Sequence, residues 1–491
     1  MNRGISARSA RFASLARRRT AAAIVGAASA LSLLLGVAGS ASAQAKWTTY
    51  GIEKAYYGIA GDSKKVYVAG RSVSEVNGTF DVLVDAYDAA TGAHVWRNEY
   101  DSGDDEAGGL WLAHQPKDAS ELRNDLVRVQ GGRVFVGGLA CAAPGCNAYG
   151  FFTESTLYAY DATSGAMLWK ARNHVNGLAD GGAMAIEVAP NRVFVGSYAQ
   201  VYAYDAVSGQ ELWHTYLDNQ VSGLEYRNGR LFVTFDDSNN AQHATIQALD
   251  PSTGASLWEN DDVQPAGVRA PIWGMATDAS RVYGVGYRTG DIYLLRAFDP
   301  VTGAVLWRSP APGGWELATY GRGVSVATGL NRVFTAGYTA APGSDETNFL
   351  VRAHSATTGA LLWQDELDFG FASAAYEIIY VPAASRVALK PPIGRVVPQP
   401  GPRPNVVPGL VVAAGYGMDA FNDGIALLRA YDPATGALAW ERDLSTAGRR
   451  DEFLAIQKVG KRIVATGTST KELGMNEGQS LDQDGIIAAY E

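Results

Sequence analysis

Short runs in which β-branched or aromatic residues alternate with small or polar ones recur along the chain, each ending near a glycine. Lys65-Val-Tyr-Val-Ala-Gly70, Arg133-Val-Phe-Val-Gly-Gly138, Arg192-Val-Phe-Val-Gly196 and Arg230-Leu-Phe-Val-Thr234 are four, and the pattern returns around 281–286, 332–337, 410–415 and 462–467. Period-two alternation between glycine turns predicts β-strands with one face in a core. After each of the first seven comes another alternating strand, then Asp-x-x-Thr/Ser-Gly, three residues, and Trp. The turns and tryptophans are Asp88/Gly92/Trp96, Asp161/Gly165/Trp169, Asp205/Gly209/Trp213, Asp250/Gly254/Trp258, Asp299/Gly303/Trp307, Ser355/Gly359/Trp363 and Asp432/Gly436/Trp440. The offset from first turn position to Trp is always eight residues.

Such self-similarity marks a repeat fold in which each unit is one supersecondary piece stacked on its neighbours. Eight alternating strands but seven complete phrases are present, because the eighth phrase stops at Gly485-Ile-Ile-Ala-Ala-Tyr-Glu491. The missing piece lies at the other end, where Lys46-Trp47-Thr-Thr-Tyr50 matches the strand that follows each turn. The expected fold is therefore all-β, an eight-bladed propeller of four-stranded antiparallel blades closed by the N-terminal strand, with Trp47 as eighth ring tryptophan. Closure hides the sheet edges that an open array would expose. In each turn the Asp side chain accepts from its own turn's amides, Thr or Ser reinforces it, and Gly takes the left-handed position. Ser355 offers only a weaker hydroxyl cap, so that turn is expected to be less rigid. Trp47, Trp96, Trp169, Trp213, Trp258, Trp307, Trp363 and Trp440 are expected to be structural wedges between blades.

These phrases resemble the tryptophan-docking repeats of the pyrroloquinoline-quinone (PQQ)-like eight-bladed propellers, and Ala159-Tyr-Asp161-Ala-Thr-Ser-Gly165-Ala-Met-Leu-Trp169 is a close match. The resemblance covers nearly all of residues 46–491. It implies the fold but not an activity, since the superfamily holds quinoprotein dehydrogenases, an outer-membrane assembly lipoprotein and exported members without cofactor.

Residues 1–43 read as a signal peptide: six arginines precede an apolar run from about Ala21 to Val37 and an Ala41-Ser42-Ala43 site. The expected mature chain, 44–491, is one propeller, periplasmic or extracellular. Arg17–Arg19 leave both the plain secretory and the twin-arginine route open. Six arginines and no acid lie in 1–43, so the formal charge moves from −9 to −15 on cleavage. So acidic a protein is a poor ligand for nucleic acid or anionic lipid. No later run is long and apolar enough to span a bilayer, no Cys follows the apolar run to carry a lipid anchor, and the chain is expected to be monomeric. Cys141 and Cys146 are the only cysteines; in an oxidising compartment they are expected to form one small disulfide.

Candidate chemistry sits on the face carrying the long loops, where strands enter from one blade to the next. Trp111, Trp273 and Trp315 fall outside the ring pattern, near the starts of innermost strands, as do Tyr56, Tyr57, Tyr376 and Phe453. Trp111, Trp273, Trp315, Tyr56, Tyr376 and Arg269 are the candidate ligand-binding residues of a channel mouth. An aromatic mouth suits stacking on a flat cofactor, a sugar ring or a partner's side chain; the alternative is that these residues simply plug a narrow channel. Glu106, Asp180, Glu225, Glu316, Glu377, Asp451 and Glu452 lie nearby as acid/base or metal-ligating candidates, against the plainer reading of solvated loop charges. An Asp or Asn recurs before the third strand, at Asp81, Asp291, Asn348, Asp423 and Asp484, and reads as turn chemistry.

The resemblance implies, for dehydrogenase members, adjacent cysteines over the quinone, a Glu/Asn/Asp calcium set and an Asp base. Cys141 and Cys146 are not adjacent, and no local motif matches the calcium ligands or the base. No Cys-x-x-Cys-His is present for haem, and no catalytic residue or metal ligand is assigned. Pro382–Pro408 holds eight of the chain's 19 prolines; it is expected to interrupt blade 7 as an extended surface excursion or partner-binding arm. The expectation is an exported binding or scaffold module without cofactor, its protein, small-molecule or saccharide ligand undefined. The alternative is a dehydrogenase using PQQ with calcium to oxidise alcohols or sugars.

Overall fold

Every alternating run becomes a strand, and the strands assemble in fours. The computed structural model describes residues 45–51, 54–73, 80–101, 106–108, 126–141, 153–173, 182–197, 200–217, 220–236, 245–261, 270–290, 292–310, 320–340, 346–383, 409–418, 423–446, 448–471 and 482–490, all within one compact unit, Ala43–Glu491. Blade 1 runs Lys54–Gly61, Lys65–Val73, Phe80–Asp88, His94–Tyr100, each strand antiparallel to the one before. Blades 3, 4, 5 and 6 repeat this order, and blade 2 pairs two short inner pieces, Glu106–Gly108 and Val127–Gln130, with one second strand, Arg133–Cys141. Blades 7 and 8 join into one sheet through a single bridge between Gly424 and Arg450.

Closure is by the N-terminal strand. Ala45–Gly51 pairs antiparallel with Asp482–Tyr490, placing Trp47 opposite Ala489 and Tyr50 opposite Ile486. The innermost strand of every blade packs against those of both neighbouring blades, the whole way round, so eight blades form a ring about a central channel. The core consists of the seams between blades. One runs between blades 1 and 2 with Tyr67, Val82, Val84, Val134, Val136 and Tyr158 buried in it.

The repeated phrase makes the same joint at each seam. Each ring Trp from Trp47 to Trp363 lies against the turn glycine of the next blade: a Cβ there would come within 2.4–2.6 Å of the indole, and the glycines sit at φ 73–74°. Only glycine satisfies both demands. The indole N–H of Trp96, Trp213, Trp258, Trp307 and Trp363 donates at 3.0–3.2 Å to the carbonyl of the residue after the turn's first position. Trp47 makes the same bond more loosely, at 3.4 Å to Ala89. Trp169 keeps the packing but its buried Nε1 has no hydrogen-bond partner. Trp440 departs from the scheme because blade 8 has no such turn; it stacks on Tyr490 instead, with ring centroids 6.3 Å apart.

The turns behave as their residues require. Asp88 Oδ1 accepts from Ala90 N (3.0 Å), Thr91 N (2.8 Å) and Thr91 Oγ1 (2.8 Å). Ser355 accepts one amide, from Thr358 at 3.3 Å. The preceding residue compensates: the buried His354 donates through Nδ1–H to Gly359 O at 3.0 Å, bracing the glycine on which Trp307 rests.

Candidate functional site

The innermost strands share a second device that alternation alone does not reveal. Near its start, the inner strand of blades 1, 4, 5, 6, 7 and 8 carries a one-residue bulge, and the extra residues are Tyr57, Ser222, Trp273, Val324, Tyr376 and Leu454. A bulge inserts one unpaired residue and re-aims its side chain. Tyr57, Tyr376 and Leu454 meet in one buried cluster with Tyr338, Tyr416 and Met418, and Val324 packs on its edge. Side chains from blades 1, 6, 7 and 8 thus converge at the channel mouth. Tyr376 and Tyr416 stack at 5.3 Å, and burial raises the Tyr376 hydroxyl pKa well above its ordinary value, so it stays protonated.

Three arginines lie on aromatic faces around this cluster. The Arg71 guanidinium lies 4.2 Å from the Phe80 ring and 6.0 Å from Tyr57. Arg322 lies 4.4 Å from Tyr287 and 5.3 Å from Trp273, whose own rings are 4.7 Å apart. Arg450 lies 5.1 Å from Tyr416 and 3.8 Å from Glu452. A guanidinium over a ring is held in place by the ring's quadrupole while its edges keep hydrogen-bonding capacity. The arrangement can present cationic, planar groups on an apolar floor.

Of the sequence candidates, Trp273 and Tyr376 stand at this mouth, both at bulges. Tyr56 does not, and this corrects the sequence assignment. The bulge after Tyr56 turns it into the seam between blades 1 and 8, where it is fully buried and donates to Asp85 Oδ2 at 2.5 Å. Phe453 is likewise buried, in the blade 7–8 seam. Trp111, Trp315, Arg269, Asp180 and Glu316 lie outside the described residues, as do Cys146 and the side chains of Glu106 and Cys141. The Pro-rich segment from 384 onward is also outside them, between the blade 7 strands Ser373–Val381 and Leu410–Met418.

Two of the acidic candidates tie neighbouring blades together. Glu377 accepts Ile456 N–H at 2.6 Å, from blade 7 to blade 8, and Glu225 accepts Thr277 N–H at 3.1 Å, from blade 4 to blade 5. Glu452 accepts from Thr468 at 3.1 Å. Among the described residues no three His, Cys, Asp or Glu side chains lie together so as to hold a metal ion. The described residues therefore do not fit a channel-bound quinone with its calcium: the mouth side chains pack on one another, Tyr57 and Tyr376 each 4% exposed, and no ligand trio faces them. No step is routed through such a group.

The family model described as outer membrane protein assembly factor BamB, of the PQQ-repeat type, matches residues 80–172, 153–293 and 291–489. The chain belongs to this family of PQQ-like repeat propellers. Among solved structures it is similar to BamB from Moraxella catarrhalis, with 15% identity, 91% of this chain and 99% of that one covered, and a TM-score of 0.52. A europium-containing methanol dehydrogenase gives 12% identity, 91% and 93% coverage, and a TM-score of 0.54. The quinohemoprotein alcohol dehydrogenase of Comamonas testosteroni gives 13% identity, 93% and 78% coverage, and 0.53. At such identities these structures show the shared fold. No curated protein matches the chain.

Proposed function

We propose that this chain is an exported binding or scaffold propeller that engages a protein partner through its channel mouth. The observation that carries the reading is the convergence of bulge side chains from blades 1, 6, 7 and 8 into an apolar plug flanked by stacked arginines. A filled mouth offers a surface; an open one would offer a pocket. Aromatic residues and arginines are the side chains that carry binding energy at protein interfaces. The family's description as an assembly factor supports a protein partner over a small substrate. The export reading rests on the N-terminal sequence.

A photo-crosslinking residue placed at Val324, half-buried at the mouth, or at Thr302, exposed on the turn face, tests this in cells that make the protein. A discrete adduct is expected from position 324 and none from 302. Adducts from 302 alone, or from neither, contradict the reading.

A further inference from the structure

Six of the seven turns share one carboxylate arrangement, and the seventh keeps its surroundings without the carboxylate. Asp88, Asp161, Asp205, Asp250, Asp299 and Asp432 each accept the amides of the third and fourth turn residues through Oδ1, at 2.7–3.1 Å. Five of these carboxylates also lie within electrostatic reach of a cation at the head of the preceding blade's second strand. Arg462 acts on Asp88, Lys65 on Asp161, Arg133 on Asp205, Arg230 on Asp299 and Arg332 on Asp432. Blade 7 has Leu410 at the cation's place, and the blade it would face, blade 8, has no such turn.

At the seam between blades 5 and 6 the cation is kept and the carboxylate is gone. Arg281 stands immediately before the second strand of blade 5, Val282–Arg288, in the place from which Arg230 acts on Asp299. The turn that follows in blade 6 starts with Ser355. Its Oγ accepts the Thr358 amide at 3.3 Å, and no described residue accepts the Thr357 amide; both threonines are exposed. Asp278, in Arg281's own turn, is taken up locally: Oδ1 accepts from Ser280 N at 2.7 Å and Arg281 N at 2.9 Å, and Oδ2 from Tyr283 Oη at 2.6 Å. Blade 1 repeats that arrangement with Asp62 and Tyr67, and there Lys65 still crosses to the next blade, reaching Ala162 O at 2.9 Å. Every connection at this end of the blades is described except 384–408 and the chain ends; neither 1–44 nor 384–408 contains an Asp or Glu, and Glu491 follows the last strand of blade 8.

We propose that the Ser355 turn binds a small organic acid, whose carboxylate lies over the Thr357 and Thr358 amides beside Arg281 and replaces the missing Asp. Two successive backbone N–H groups form an anion-binding concavity, and the Ser355 hydroxyl can donate as well. Arg281 supplies the charge, and a planar guanidinium matches a carboxylate's two oxygens. Because the site is open to water and screened by salt, binding is weak and specific to ligands present at high concentration. Its place is the turn face, at the far end of the blades from the channel mouth, so it does not depend on the proposed partner.

The test uses the mature chain at constant pH and ionic strength, with sodium acetate replacing sodium chloride. Acetate is expected to raise Tm saturably, by about 1–3 °C. It should also slow amide exchange over 353–360 and leave 86–93 unchanged. Ser355→Asp supplies the carboxylate from within the chain: it is expected to melt above wild type in chloride and to lose the acetate response. Arg281→Gln keeps the turn and removes the charge, and is expected to weaken acetate protection of 353–360 by about tenfold, whatever its own Tm. Acetate shifts of equal size in wild type and Ser355→Asp, or exchange over 353–360 that acetate does not slow, overturn the proposal.

Discussion

The indole of Trp47 lies against the Cα of Gly92, so close that a Cβ on Gly92 would fall 2.5 Å from Trp47 Cδ2. These residues come from the N-terminal strand of blade 8 and the turn of blade 1, and their contact is the last of the seven Trp–Gly joints. It ties the start of the chain to the ring.

Trp47→Ala is accordingly expected to lower stability by about 2–4 kcal/mol, at or below the usual cost of removing a buried Trp because the side chain is half-buried. Deleting residues 44–50 is expected to cost more, since it also leaves the Asp482–Tyr490 strand as an open edge. Urea unfolding of both variants checks this; wild-type midpoints would contradict ring closure.

Two glycines with left-handed backbone separate packing from backbone strain. Gly131 (φ 58°) has nothing within 4 Å of an added Cβ, whereas Gly92 (φ 73°) meets Trp47. Gly131→Ala is expected to cost about 1 kcal/mol from backbone alone, and Gly92→Ala about 1–3 kcal/mol more from overpacking. Equal midpoint shifts would mean that the indole is not seated on the glycine.

Blade 6 should show a histidine-linked acid sensitivity. Burial lowers the His354 pKa from 6.5 to about 4. Its folded pKa lies below its unfolded one, so its neutral form's contribution is complete above about pH 6.5 and is lost as pH falls toward about 4. The full span amounts to about 3 kcal/mol. His354→Gln is expected to lower stability at pH 7.5 and to flatten the loss between pH 6.5 and 4 relative to wild type. Parallel stability–pH curves for the two proteins would contradict it.

The turn at Ser355 should open more readily than its counterparts. One hydroxyl bond replaces the three acceptances by Asp88, so the Thr358 amide is expected to exchange hydrogen faster than the Thr91 amide. Ser355→Asp is expected to slow it and add about 0.5–1 kcal/mol, the worth of a capping side chain. Exchange mass spectrometry over 353–360 and 86–93 reads this directly.

The ring was legible because its signal is local: Asp, Gly and Trp act within a dozen residues, and the same phrase makes the same joint in each blade. Trp440 shows the limit: the repeat predicts a wedge like the others, but blade 8 has no turn to receive it and the indole stacks on Tyr490. Tyr56 and Tyr57 show why the mouth was harder to read. Period-two alternation places neighbours on opposite faces, and a one-residue bulge shifts the parity. Nothing in Lys54-Ala-Tyr-Tyr-Gly58 announces the bulge. Asp81, Asn348 and Asp484 were read as turn residues, yet each lies within a strand opposite Ser72, Thr339 or Ser469. Their roles depend on cross-strand partners that sequence spacing does not supply.

The central claim, that the mouth is a docking surface and not a quinone site, is tested most directly by titrating PQQ into the mature, calcium-saturated protein in a calorimeter. Dye reduction with alcohols and sugars is followed on the same sample. The mouth side chains that pack on one another predict no saturable heat at micromolar PQQ and no turnover. Micromolar or tighter binding accompanied by substrate-dependent dye reduction would contradict the claim and identify the chain as a dehydrogenase.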